Sequence, residues 1–446
     1  MASPVRSGSP VRSGSPAESG MREPPVLPTG PRVDPYPMYA QMRQAGVVQL
    51  IREPNGLERY LILRHEQARE AMADGRLSKD PGRAWDQLRR AGYVKGERGE
   101  ADYVYHIANT DPPDHTRLRR LISKAFTVRR IEQLRPRAVR VAEELVSKMV
   151  QAGRADLVEA FSHPLSVTII SEILGVPGGD RSNFRTWATA MLTAPDMVTE
   201  GTMSPQEGFA RMRAFFGELI ERKRAEIDPA LPSDRQPDVI SGLIAARDAE
   251  HQLTEAELVS TAMLLLSAGQ EPTVNLINNG MLVLLLHRDQ LELLRDRPEL
   301  LPSAVEEFLR YDPPVELSTM RVAAEDLQID GTFIPAGSVV TIAIASTSRD
   351  ERRFSDPDAL DITRTDNPHL AFGHGIHHCI GAPLARMQAQ AGIGTLLRLL
   401  PDIALGCAAG ELSWRPTRIM RGLVELPVTF APMSPQDLAA MHSASI

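Results

Sequence analysis

The stretch AFGHGIHHCIGAPLAR, residues 371–386, concentrates the chemistry-bearing residue types of this chain. Cys379 stands at the end of a glycine-rich turn and directly before a helical pattern. Glycines let a backbone turn tightly and approach a ligand, while the amides and positive end of a helix stabilise a thiolate. A soft anionic sulfur held that way suits a metal, and haem iron above all. Plainer readings compete. A free buried cysteine is commonly a small hydrophobe. The neighbouring His374, His377 and His378 permit zinc, although ligands on so short a tract would strain a tetrahedral site and no CxxC pair accompanies them. As a phosphate loop, GHGIHHCIG lacks the third glycine of the dinucleotide fingerprint. The covalent haem motif CxxCH is absent, so a haem here would be held non-covalently.

A second stretch, AGQEPT at 268–273, places an acid beside a proline inside LVSTAMLLLSAGQEPTVNLINNGMLVLLL, which otherwise has the composition of a buried helix. A mid-helix proline removes one donor and clashes with the preceding turn, at about 3 kcal/mol. Because Pro272 cannot donate to the carbonyl of Ala268, the sequence predicts a helix opened at that point, with the carbonyl available to a water. The bland alternative is a tolerated kink.

The elements that must position these residues follow from pattern. With 446 residues and 42% hydrophobic content the chain can bury a large core. Its longest apolar run is broken by Gln270, Glu271, Asn275, Asn278 and Asn279, short of the roughly 18 to 20 residues of a membrane span, so no membrane anchor is expected. The repeated SPVRSG at the start lacks the apolar core of a secretory signal and predicts a disordered tail over 1–22, followed by a single domain over 23–446. Two cysteines, Cys379 and Cys407, are too few for a disulfide framework and fit a reducing cytoplasm. A net charge of -7 argues against general nucleic-acid binding. One stretch, HTRLRRLISKAFTVRRIEQLRPR, runs the other way with eight Lys or Arg against one Glu, either a docking face or a solvated helix surface.

Helical spacing begins near Asp34, YLILR has the alternation of a strand, and HEQAREAMAD that of a helix. Residues 80–113 show no sustained period and predict a long loop. Nearly everything from there to residue 311 is helical in spacing, including RRIEQLRPRAVRVAEELVSKMV as one helix. Short strands are predicted at LQIDG, SVVTIAIAS and LVELPVTF, and a strong helix at APLARMQAQAGIGTLLRLL.

AFGHGIHHCIGAPLAR resembles the haem-binding signature of the cytochrome P-450 family, bacterial soluble branch, and other landmarks fall in the family's order over almost the whole chain. The resemblance implies a mainly α fold with a small β-rich region, haem b lying between the long central helix and the cysteine loop. By that resemblance Cys379 is the axial iron ligand, and Phe372, Gly373 and Gly381 shape its loop. His115 and Arg119 in NTDPPDHTRLRRL, Arg321 in TMRVAAEDL and His377 match the propionate partners. Glu307 and Arg310 in VEEFLRYDPP match the family's Glu-x-x-Arg pair. The usual third basic member is missing, since Ala359 occupies its position in PDAL, and Arg364 is the nearest substitute.

AGQEPT resembles the family's AGHETT segment, where an acid precedes a threonine that helps deliver protons to dioxygen. Glu271 matches the acid, Pro272 takes the threonine's place, Thr273 follows, and Ala268 supplies the carbonyl. Proton delivery would then use ordered water, Thr273 or a hydroxyl of the substrate. The resemblance places substrate contacts in the loop at 80–110, in TAPDMVTEG, and at Val315, Glu316, Leu317, Ile419 and Met420; Glu316 could orient a polar or basic group, but the favoured expectation is that it faces solvent. It implies a monomeric cytoplasmic monooxygenase that hydroxylates or epoxidises a secondary-metabolite intermediate with O2. Electrons would come from NAD(P)H through a ferredoxin reductase and an acidic ferredoxin docked on Arg117, Arg120 and Lys124. An oxidative coupling enzyme acting on aromatic rings or cyclic dipeptides is the alternative on the same fold, and a non-catalytic haem-binding protein the distant one.

Overall fold

The computed structural model describes Pro24, Val26 and residues 33–94, 96–97, 106–180, 183–193, 198, 201–250, 253–417 and 419–434. The tail at 1–22, part of the 80–110 loop and most of TAPDMVTEG lie outside the described residues.

The architecture is built around one 32-residue helix, Glu255–Leu286. Its start is fixed by a capping box in which the Thr254 hydroxyl accepts from the Glu257 amide and the Glu257 carboxylate accepts from the Thr254 amide. Leu, Met, Val and Ile on every side leave it buried nearly all round. Helices His163–Leu174, Pro205–Arg224, Leu301–Tyr311 and Ala382–Leu399 pack against it. Two glycines permit the closest crossings: a Cβ on Gly269 would come 2.7 Å from Ile170, and one on Gly280 2.8 Å from the Phe308 ring. The expected opening at Pro272 is not a break, because the helix runs through it without interruption. Its interior asparagines serve as ties, Asn278 donating to the Ser162 hydroxyl at 2.8 Å and Asn279 to the Arg421 carbonyl at 3.1 Å.

A five-stranded sheet flanks the helices in the order Val48–Arg52, Glu58–Ile62, Val339–Ile342, Arg321–Ala323, Leu77–Ser78. All pairs are antiparallel except Glu58–Ile62 with Val339–Ile342. The first strand was not predicted, although Asn55-Gly56, with Gly56 at φ 85°, is the hairpin signal that joins it to the second.

Other boundaries differ from the sequence reading. SVVTIAIAS stops being a strand at Ile342 and closes into a helical turn, Ile344–Thr347. The stretch after residue 80 contains a 3-10 turn, Pro81–Ala84, and a short helix, Trp85–Arg90, too short to show a period. The helix expected over 129–150 is two, Val128–Gln133 and Arg135–Met149, because Pro136 has no amide to continue the first and instead starts the second. Among the described residues no helix is long and apolar enough to cross a membrane.

Candidate active site

Cys379 lies between the 3-10 turn Gly375–His377 and the helix Ala382–Leu399. Its amide donates to the Phe372 carbonyl at 2.9 Å, which closes the loop. Gly373 and Gly375 adopt φ 72° and 74°, a left-handed conformation that favours glycine. A Cβ on Gly375 would also press at 3.1 Å on the Met72 carbonyl and Ala73 of the helix His65–Ala73. The Cys379 side chain is exposed, as are Gly375, Ile376 and His378 of the same loop. Burial pushes its thiol up; the amides of Gly381 and Ala382 and the charges of Arg119 and Arg386 act in the opposite direction, favouring thiolate.

Beside the loop sits a cluster of basic side chains with few acids. His115, on the helix Asp114–Ala125, packs its ring 4.2 Å from that of His377. The Nε2 atoms of both are buried without a hydrogen-bond partner. One turn beyond His115, Arg119 donates to the His378 carbonyl at 2.8 Å and so ties this helix to the cysteine loop. Arg321 is buried at the end of its strand, donating to the carbonyls of Leu77 and Met72. Burial holds it down at about 10, against the pull of Asp111 and Asp74.

Two members escaped the sequence reading. Lys79 is buried, donates to the Thr319 hydroxyl at 2.6 Å and the Met320 carbonyl at 2.8 Å, and is pushed well down by burial and by Arg321. His106 is held at about 4 by burial and the charge of Lys79. Neither residue type nor spacing marks RLSKD or YHIAN as part of a charged site. His377 is lowest of all, at about 3, from burial and the surrounding His115, Lys79, Arg321 and Arg119. Depressed basic groups and two orphaned imidazole nitrogens, set against only Asp111 and Asp74, make a site in want of anions.

The middle of the central helix turns its least buried stripe, Leu264, Ala268 and Pro272, toward solvent, with Ala268 exposed. Glu271 is buried at 8% exposure beside that stripe. Burial pushes its carboxyl up, opposed by Arg415 and Arg185. The Thr273 hydroxyl is buried and donates back to the Gly269 carbonyl at 3.1 Å.

The residues expected to meet substrate divide. Val315 and Met420 pair as an isolated bridge, and the Glu316 amide donates to the Ile419 carbonyl at 2.7 Å, so two chain segments are stitched side by side. Glu316 does not face solvent: it is 3% exposed and its carboxylate accepts from the Tyr39 hydroxyl at 2.6 Å. Leu317 packs with Tyr39, Ile51, Leu61 and Leu63. These two pack against the helix Tyr36–Ala45.

Glu307 and Arg310 form a fully buried pair, Nη2 to Oε1 2.7 Å and Nε to Oε2 2.8 Å. Arg310 also donates to the carbonyls of Ser348, Pro357 and Ala359. Arg364 approaches Glu307 at 3.3 Å, and Asn367 donates to it at 3.2 Å. Residue 359 thus contributes its carbonyl, and the third member of the network is Arg364. On the basic helix, Arg117 pairs with Glu257 at 2.5 Å and with Asp114, so its charge is engaged within the chain, and Arg120 and Lys124 are exposed one turn apart.

An exposed cysteine in an electropositive loop, a basic cluster with orphaned imidazole nitrogens, and a buried central helix with an open stripe of alanine and proline fit an iron porphyrin with two carboxylates. Fold and site together define a haem-thiolate oxygenase. The chain matches the family profile described as Cytochrome P450 over residues 87–400. It is 43% identical over 413 residues to the cytochrome P450 monooxygenase PikC of Streptomyces venezuelae, covering 91% of this chain and 94% of that one. To the mycinamicin IV hydroxylase/epoxidase of Micromonospora griseorubida it is 40% identical, covering 88% and 94%. The tirandamycin C-bound P450 monooxygenase TamI superposes with a TM-score of 0.80 at 40% identity, covering 91% of this chain and all of that one. The chain belongs to the cytochrome P450 family. It is a monooxygenase whose cofactor is non-covalent protoporphyrin IX haem.

Proposed function

We propose that the enzyme hydroxylates or epoxidises an apolar secondary-metabolite intermediate, as a cytoplasmic monomer supplied with electrons by ferredoxin reductase and a ferredoxin. The named activity of the mycinamicin relative supports the reaction type. Exposed Arg120 and Lys124 support an acidic electron donor. Val315, Ile419 and Met420 supply the apolar character of a small-molecule site.

Cys379 is proposed as the iron ligand, and Lys79, His106, His115, Arg119, Arg321 and His377 as the groups that would hold the propionates, the arginines by charge and the imidazoles by hydrogen bonding. When bound, haem with thiolate ligation supplies dioxygen activation and favours O–O cleavage. This chain must supply the protons. Glu271 is the candidate donor, since burial raises its carboxyl toward the protonated form. Pro272 has no hydroxyl to pass the proton on, and the Thr273 hydroxyl is directed at the Gly269 carbonyl. The hand-over therefore falls to water near Ala268 or to a hydroxyl of the substrate. The single observation carrying this reading is the pairing of exposed Ala268 with buried Glu271 on one helix.

Pro272→Thr tests it. With a turnover substrate found by Soret titration of natural-product scaffolds, the variant is expected to change the ratio of oxygenated product to hydrogen peroxide released. An unchanged ratio would sink the proton-delivery reading. Ring coupling without oxygen insertion would move the reaction to the coupling class, and a protein that accepts electrons from no ferredoxin would be a haem-binding protein only.

A further inference from the structure

Glu306 stands beside the family's acid–arginine pair but faces the opposite way, toward the cysteine loop. Arg386, on the helix that follows Cys379, grips it with two parallel bonds, Nε to Oε1 and Nη2 to Oε2, both 2.7 Å. His369 donates from Nε2 to Oε2 at 3.1 Å. The tautomer is fixed, because His369 Nδ1 accepts from the Ala371 amide at 3.2 Å. Ala371 immediately precedes Phe372. The Arg386 guanidinium lies over the Phe372 ring, 4.5 Å from its centroid, and the Phe372 carbonyl receives the Cys379 amide.

The contacts close a ring: Glu306 to Arg386, Arg386 to Phe372, Phe372 through Ala371 to His369, and His369 back to Glu306. Glu306 is 30% exposed and Arg386 33%, so the ring is half-buried and solvent weakens its field without changing the sign. Burial raises the Glu306 carboxyl, yet the bonds and charges of Arg386 and His369 hold it down at about 2, so it is ionised across the working range of pH. Arg386 in turn lies within electrostatic reach of Cys379.

We propose that Glu306 is a positioning residue that sets the electron-donating strength of the Cys379 sulfur, by orienting Arg386 over Phe372 and neutralising its charge. A positive charge near the thiolate draws electron density from the iron and favours the reduced state; Glu306 cancels part of that charge. The inference rests on Cys379 being the iron ligand.

The test is the ferric–ferrous reduction potential of the holoenzyme, with the ferrous carbonyl spectrum recorded on each sample. Glu306→Gln leaves the guanidinium uncompensated and is expected to raise the potential. Arg386→Gln removes the cation and is expected to lower it. Shifts of opposite sign are the signature, because two merely structural losses would disturb the loop alike. If the red-shifted carbonyl band of thiolate ligation is present but the shifts share a sign or vanish, the proposal is overturned. If that band is absent from the unmodified enzyme, the ligand assignment itself fails. Should Glu306→Gln not retain haem, Arg386→Gln carries the test alone: a lowered potential with a normal carbonyl band supports the proposal, an unchanged one overturns it.

Discussion

His163 shows how a single contact fixes a proton. Its Nε2 lies 2.9 Å from the Gln270 amide nitrogen, which can only donate, so the imidazole must accept there and remain neutral. Burial and the nearby Arg185 hold it down at about 4 against the pull of Glu159. In the unfolded chain the same ring takes a proton near its ordinary 6.5. Folding stability is therefore expected to fall as pH drops from 6.5 toward 4, where the unfolded state binds the extra proton, and to level off for this group below that. Urea midpoints across that window should fall less steeply in His163→Gln. At this scale legibility was uneven. Cys379 and Glu271 were found because glycine, histidine and helix signals surround them in sequence. Lys79, His106 and His369 were not, because Thr319 and Met320 for Lys79, Lys79 itself for His106 and Glu306 for His369 are brought to them by the fold alone.

The helix Leu301–Tyr311 carries two acids with separate duties, Glu306 toward the cysteine loop and Glu307 toward the buried arginines. Breaking the second is the more severe change, since Arg310 and Glu307 are both wholly buried. Glu307→Ala is expected to cost about 3–5 kcal/mol by leaving Arg310 an uncompensated charge, read as a lowered denaturation midpoint and loss of haem on purification. Elements were legible where composition and length agreed, as in the 32-residue central helix and the helix after Cys379. The strand Val48–Arg52 was missed despite its Asn-Gly turn, because two of its five side chains alone are fully buried and alternation is weak. At Pro272 the helix stays continuous: packing around most of its circumference holds it together against one missing donor, while the stripe with Ala268 remains open.

Across the whole molecule, the N-terminal helix is anchored to the far end of the chain. Asp312 accepts from the Tyr36 hydroxyl and from Arg421 Nε, both at 2.5 Å. Arg349 stacks over the Tyr36 ring at 4.0 Å, and Arg421 over Trp414 at 3.6 Å. Asp312→Ala should destabilise by about 3–5 kcal/mol, because Arg421 is left buried beside another arginine. Tyr36→Phe removes one hydrogen bond and should cost about 1–2 kcal/mol, a difference resolvable by chemical denaturation. The same knot binds Arg421 to the Val33 carbonyl, 388 residues earlier in the chain. A ribosome adding roughly 5–20 residues per second needs about 20 to 80 s to cover that separation. For that interval the helix Tyr36–Ala45 can rest on Ile51, Leu61 and Leu63 soon after it emerges, but its ties to Asp312 and Arg421 wait, so the nascent chain carries this segment half-docked through most of its synthesis.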